Sequence, residues 1–124
     1  MKRIFTALVA LSVGGVAAVA EDRMSANYIV PKCWFEEGPA PNQVISAYEA
    51  GRCAGIVEML GVMLQANARL PKNERGLCAR IPDNVTFGQE IRIVVDYIKA
   101  RPTRMHENFK LLALEALTQA WPCR

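Results

Sequence analysis

Only one histidine, His106, stands in the 124 residues, and no two of the four cysteines are closer than 20 positions. These scarcities remove most metal and catalytic chemistry. A structural zinc site takes ligands in close pairs such as C-x2-C, whereas Cys33, Cys53, Cys78 and Cys123 are separated by 20, 25 and 45 residues. A G-x-S-x-G elbow, a phosphate loop and an H-E-x-x-H pair are all missing, and the acids are scattered. No run of Lys and Arg interleaved with aromatics occurs, which argues against nucleic acid and a polybasic membrane patch. A Cys-His hydrolase would pair a thiolate such as Cys53 with His106. In an exported chain that free thiol should leave an odd cysteine count once disulfides form, and the count here is even. The reading is therefore of a protein without enzymatic activity, cofactor or metal.

Export is what the N-terminus indicates. Met1, Lys2 and Arg3 give a basic start, residues 4–19 are uncharged and rich in Ala, Val and Leu, and Ala18-Val19-Ala20 has the small-x-small form a signal peptidase accepts. Residues 1–20 read as a cleavable signal peptide leading to the periplasm. The remaining 21–124 suit one domain of modal size. Loss of Lys2 and Arg3 takes the formal charge from +3 to +1, and no stable membrane insertion is expected after signal removal.

The mature chain reads as all-α, a small bundle of about four helices. Pro31, Pro39, Pro41 and Gly38 limit residues 25–36 to a short helix bent near Pro31. A first long helix is expected over about residues 42–66, where Val44, Tyr48, Gly51, Gly55, Met59 and Val62 recur at helical steps. Between Ala54 and Ala66 only Glu58 is charged. A surface helix keeps a broader polar face, so this one reads as central or as covered by a second copy. The Gly51-x-x-x-Gly55 spacing reads first as a tight contact inside the domain and second as a dimer motif.

Residues 69–80, with Pro71, Asn73 and Gly76, read first as an ordinary solvated polar link and second as a loop long enough to carry binding residues. Thr86 and Gln89 have capping-box spacing, and a helix with Phe87, Ile91, Val94, Val95 and Ile98 on its core side should begin there and stop at Pro102. The last helix begins near His106 or Glu107, carries Phe109, Leu112, Ala113, Ala116, Leu117 and Ala120, and ends before Pro122. Leu111 and Leu114 lie off that stripe and imply a second apolar face, buried or open to a partner.

Four cysteines allow three pairings. An antiparallel hairpin of the last two helices would bring Cys123 back towards Cys78. That leans towards Cys33–Cys53 and Cys78–Cys123 as the two disulfides. Polarity and position single out Arg69, Lys72, Asn73, Glu74 and Arg75 in the loop, and Arg104 and His106 in the last connector, as partner-binding candidates.

Several features occur in one order from Ala50 onward: Gly51-Arg52-Cys53-Ala54-Gly55, Cys78, Pro82, Val85-Thr86 with Gln89, Val94-Val95, Tyr97-Ile98, Arg101-Pro102, His106, and Ala116-Leu117 to Trp121-Pro122-Cys123. In this the chain resembles the type VI secretion amidase immunity proteins of the Tai and Rap group. The resemblance implies a small helical disulfide-bonded periplasmic protein, often a homodimer, that binds a peptidoglycan amidase and blocks its active site. Arg101-Pro102-Thr103 departs from the His-Pro-Glu common in that family. The alternative function is a periplasmic stress protein, a holdase similar to small helical acid-stress chaperones.

Overall fold

Thr86 starts its helix in the way its spacing predicts. Its hydroxyl accepts the Gln89 amide at 3.3 Å, and the Gln89 side chain accepts the Thr86 amide at 2.8 Å. Together these satisfy two groups that a helix start would otherwise leave open. The computed structural model describes residues 22–33 and 47–124. The expected signal peptide, Val44 and the prolines at 39 and 41 lie outside the described residues.

Among the described residues the chain is helical, with no strand longer than an isolated bridge. A one-turn helix α1 (Ala26–Ile29) runs into a 3-10 turn, Val30–Lys32, at Pro31. Then come α2 (Ala47–Ala68), α3 (Phe87–Lys99), a 3-10 turn Pro102–Arg104, and α4 (Phe109–Ala120). No helix of the described residues is long and apolar enough to cross a membrane. The last helix starts two to three residues later than its sequence suggests. Asn108 is its cap, accepting the Lys110 amide at 3.0 Å, and Glu107 just before it donates its amide to the Arg104 carbonyl at 2.9 Å in a turn.

Val57 and Leu64 of α2, Ile91, Val94, Val95 and Ile98 of α3, and Phe109, Leu112 and Leu117 of α4 meet in one core. Full burial of each such side chain contributes about 1.5–3 kcal/mol. Phe87 and Ala120, read as part of the core stripes, are exposed instead. Each is the terminal residue of its helix.

The largest departure concerns α2. Its buried residues are Cys53, Val57, Gly61, Leu64 and Ala68, whereas Tyr48, Gly51, Gly55, Met59 and Val62 face outward. The helix is neither central nor packed through its glycine pair, since a Cβ at 51 or 55 would meet nothing within 4 Å. The reason lies in composition. A segment apolar on nearly every side has helical periodicity along more than one stripe, and only tertiary packing chooses between them.

Both disulfides have the pairing towards which the hairpin argument leans. Cys33–Cys53 joins the end of the first turn to α2 with a Cα separation of 5.3 Å, and Cys78–Cys123 joins the loop to the C-terminus at 5.9 Å. All four thiols are thereby used.

Against the buried side of α2 lies Glu90, at a place where a Cβ on residue 61 would come within 2.8 Å of its Oε2. Glycine at 61 therefore makes room for a carboxylate between α2 and α3. Burial first, then the negative charge of Glu58, push the Glu90 carboxyl above its usual range. A carboxyl raised in the folded state costs stability when ionised, and that cost disappears as pH falls through its folded value. Glu90→Gln should raise the melting temperature at pH 7. It should also flatten the rise in melting temperature expected of the parent chain as pH falls from neutrality towards the ordinary glutamate value of about 4.3.

Candidate functional site

Two segments project from the bundle, and each is clamped at both ends. Residues 69–80 leave α2 through bonds from the Arg69 amide to the Ala66 carbonyl and from the Leu70 amide to the Asn67 carbonyl, both 3.1 Å. Inside the loop the Glu74 amide donates to the Pro71 carbonyl at 2.9 Å, and Arg75 Nε donates to the Leu70 carbonyl at 2.7 Å. Asn67 Nδ2 reaches across to the Leu77 carbonyl at 2.9 Å. The return is fixed by the Cys78 disulfide, by Ala79 bonded to Leu64 at 3.3 Å, and by the Arg80 amide donating to the Trp121 carbonyl at 2.9 Å. Between these anchors Arg69, Lys72, Asn73 and Glu74 are exposed and Arg75 is half-buried. Leu70 and Leu77 are also open, at 39% and 60% exposure.

The second segment joins α3 to α4. Its entry is set by Arg101, whose guanidinium lies 3.6 Å from the centre of the Tyr97 ring and donates to the Tyr97 carbonyl at 2.8 Å. Arg104 then bonds Glu107 through two nitrogens, both at 2.7 Å, and Glu115 through two at 2.7 and 3.0 Å. Tyr97 Oη donates to the same Glu115 carboxylate at 3.0 Å. From the other side the N-terminal segment grips the connector. The Asn27 amide donates to the Met105 carbonyl at 2.7 Å, the Ala26 amide to the Glu107 carbonyl at 2.9 Å, and the Phe109 amide to the Met24 carbonyl at 2.8 Å. Pro102, Thr103 and His106 are left exposed at its surface.

The two arginine-bound carboxyls differ electrostatically from Glu90. Hydrogen bonds from Arg104 hold both Glu107 and Glu115 below the usual carboxylate range, and the same bonds raise the Arg104 guanidinium further. A carboxyl lowered in the folded state contributes stability above its unfolded value and loses it as pH falls through the folded one. The connector should therefore stay closed at pH 5 and loosen below about pH 4. An NMR titration of the side-chain carboxyl resonances should give midpoints for Glu107 and Glu115 below about 4.3, and midpoints at or above that value would remove the clamp from the account.

Of the residues singled out from sequence, Arg69, Lys72, Asn73, Glu74 and Arg75 share one loop, and Arg104 and His106 share the connector. Arg104 is engaged inside the molecule, and its i,i+3 spacing to Glu107 is a signal of that. Glu115, eleven residues on, gives no comparable local signal. Leu77 and Arg80 stand exposed in the same loop beside the candidates read from polarity.

A third surface is the outer face of α2. Tyr48, Met59, Val62 and Met63 are each more than half exposed. Gly51 and Gly55 form the floor of a groove of about 420 Å³ between Arg52, Ile56, Met59 and Lys110. Beyond that rim, Glu58 is the exposed charge on this side of α2.

No group of three or more metal-binding side chains is gathered among the described residues. A family model described as Rap1a immunity proteins matches residues 25–123, which spans α1, both projecting segments and both disulfides. No curated protein and no solved structure matches the chain.

Proposed function

The chain belongs to the Rap1a immunity protein family, a group directed at type VI secretion effectors, and from that membership we propose that it neutralises a peptidoglycan amidase by covering its active site. The match over residues 25–123 carries this reading, because it takes in every element that positions the two clamped segments. The protein works by contact and performs no chemistry. Its contact elements are residues 69–80 and the connector 101–107. Both are tied down before binding, so little conformational freedom is left to lose when a partner docks. A specific complex of this kind buries about 800 Å² on each partner.

Residues 1–20 direct the chain to the periplasm, where an amidase would reach the cell wall, and are removed there. The outer face of α2 joins two copies. Gly51 and Gly55 carry no intramolecular contact at their Cβ positions, so two α2 helices can approach closely there, with Met59, Val62 and Met63 closing over the seam. An acid-activated holdase fits less well, since falling pH first relieves the Glu90 charge and so tightens the packing of α2 on α3 within one chain.

The test is survival. Cells carrying a periplasm-targeted amidase effector should grow when the full chain is co-expressed and lyse without it. Lysis that is unchanged across the amidase effectors of the host's own secretion system would defeat the proposal.

A further inference from the structure

Positive charge is concentrated in one loop. Residues 69–80 hold Arg69, Lys72, Arg75 and Arg80 against Glu74 alone, which is four minus one, or +3, and the full chain is also +3. With Lys2 and Arg3 removed in the signal the chain is +1, so all the rest of it sums to −2. Arg69, Lys72 and Arg80 are exposed, and the loop opens Leu70 and Leu77 to solvent beside them. Two internal hydrogen bonds, the Cys78–Cys123 link and the Ala79–Pro122 bridge hold these groups in one arrangement.

We infer that this loop is the anchoring element of the complex, and that its receptor on the effector is an apolar recess, filled by Leu77, within a rim of carboxylates that meet Arg69, Lys72 and Arg80. The inference rests on the immunity reading and adds the chemistry of the partner's surface. An exposed leucine held in a fixed position loses little freedom on docking and gains from burial. The cations around it act at a distance, speeding encounter with an acidic surface and setting the register. An anionic membrane would be met by the same charges. Stable attachment there needs a broad apolar helix face or a lipid chain in addition, and two leucines separated along a rigid loop supply neither.

Surface plasmon resonance against the amidase effector that the full chain protects from tests this directly. Arg69→Glu with Lys72→Glu should slow association at least tenfold at low salt, and raising NaCl should slow the parent chain towards that rate. Leu77→Asp should speed dissociation at least tenfold with association little changed. Arg23→Glu, an exposed charge reversal outside the loop, should alter either rate less than twofold. Circular dichroism melts of all variants should coincide with the parent, since the altered side chains are exposed.

Parent-like binding by the loop variants, while the parent chain binds, overturns the inference and leaves the immunity reading standing. A parent chain that binds no amidase overturns both. Loop-dependent binding to vesicles containing phosphatidylglycerol, with the amidase bound equally well by the variants, assigns the loop to a membrane surface and overturns the inference.

Discussion

Replacing Cys78 and Cys123 together by alanine should lower the unfolding free energy by about 4 kcal/mol, and replacing Cys33 and Cys53 by about 3 kcal/mol. The order follows from the closed loops, which span 45 and 20 residues, because a longer loop restrains the unfolded chain more. A domain of this size has about 5–15 kcal/mol in all. Either variant should therefore unfold at much lower urea, and the doubly reduced chain should be close to unfolded at 37 °C. Local consequences should differ. Loss of Cys78–Cys123 frees the return of the basic loop, so the Ala79 and Arg80 amides should lose protection against hydrogen exchange well beyond the global change. Loss of Cys33–Cys53 should leave them protected relative to the new global stability. Urea titrations showing less than about 1 kcal/mol for either pair would contradict the role given to the crosslinks.

The second large effect has opposite signs in the monomer and in the proposed α2–α2 dimer. Gly51→Ala with Gly55→Ala places two methyl groups where nothing lies within 4 Å. Removing two helix-interior glycines should stabilise the folded monomer by about 1 kcal/mol each. The same methyl groups would stand in the seam between two α2 helices and hold their backbones apart. Self-association should weaken at least tenfold. Sedimentation velocity over a concentration series, with urea melts on the same samples, reads both quantities. A double variant that is more stable and still dimerises like its parent would show that the pair serves no close approach.

Local rules reached far in this chain. Thr86 with Gln89 gave the start of α3, Pro102 its end, and the stripe Ile91, Val94, Val95 and Ile98 its buried side, because this helix has a polar face to set against its apolar one. The disulfide pairing is the one towards which the antiparallel return of α4 along α3 leans, among three that the sequence alone leaves open. The outward face of α2 did not follow. Its outer residues Met59, Val62 and Met63 are as apolar as its inner ones, Val57 and Leu64. Only the docking of α3 and α4 on the inner side settles which stripe is buried. The site shows the same division. The basic loop was visible as polarity between two helices, whereas the clamp on the connector depends on Arg104 meeting Glu115 across the α4 turn. That meeting is a property of the folded chain.

The central claim is that this helical frame works by binding an amidase effector of the type VI system. The most direct measurement is a titration of purified effector with the chain lacking residues 1–20, followed by release of peptide from peptidoglycan. The account predicts that activity falls linearly to near zero at one equivalent, with the inhibited complex recovered intact by gel filtration. Full amidase activity at tenfold excess, with the two proteins eluting separately, would contradict it.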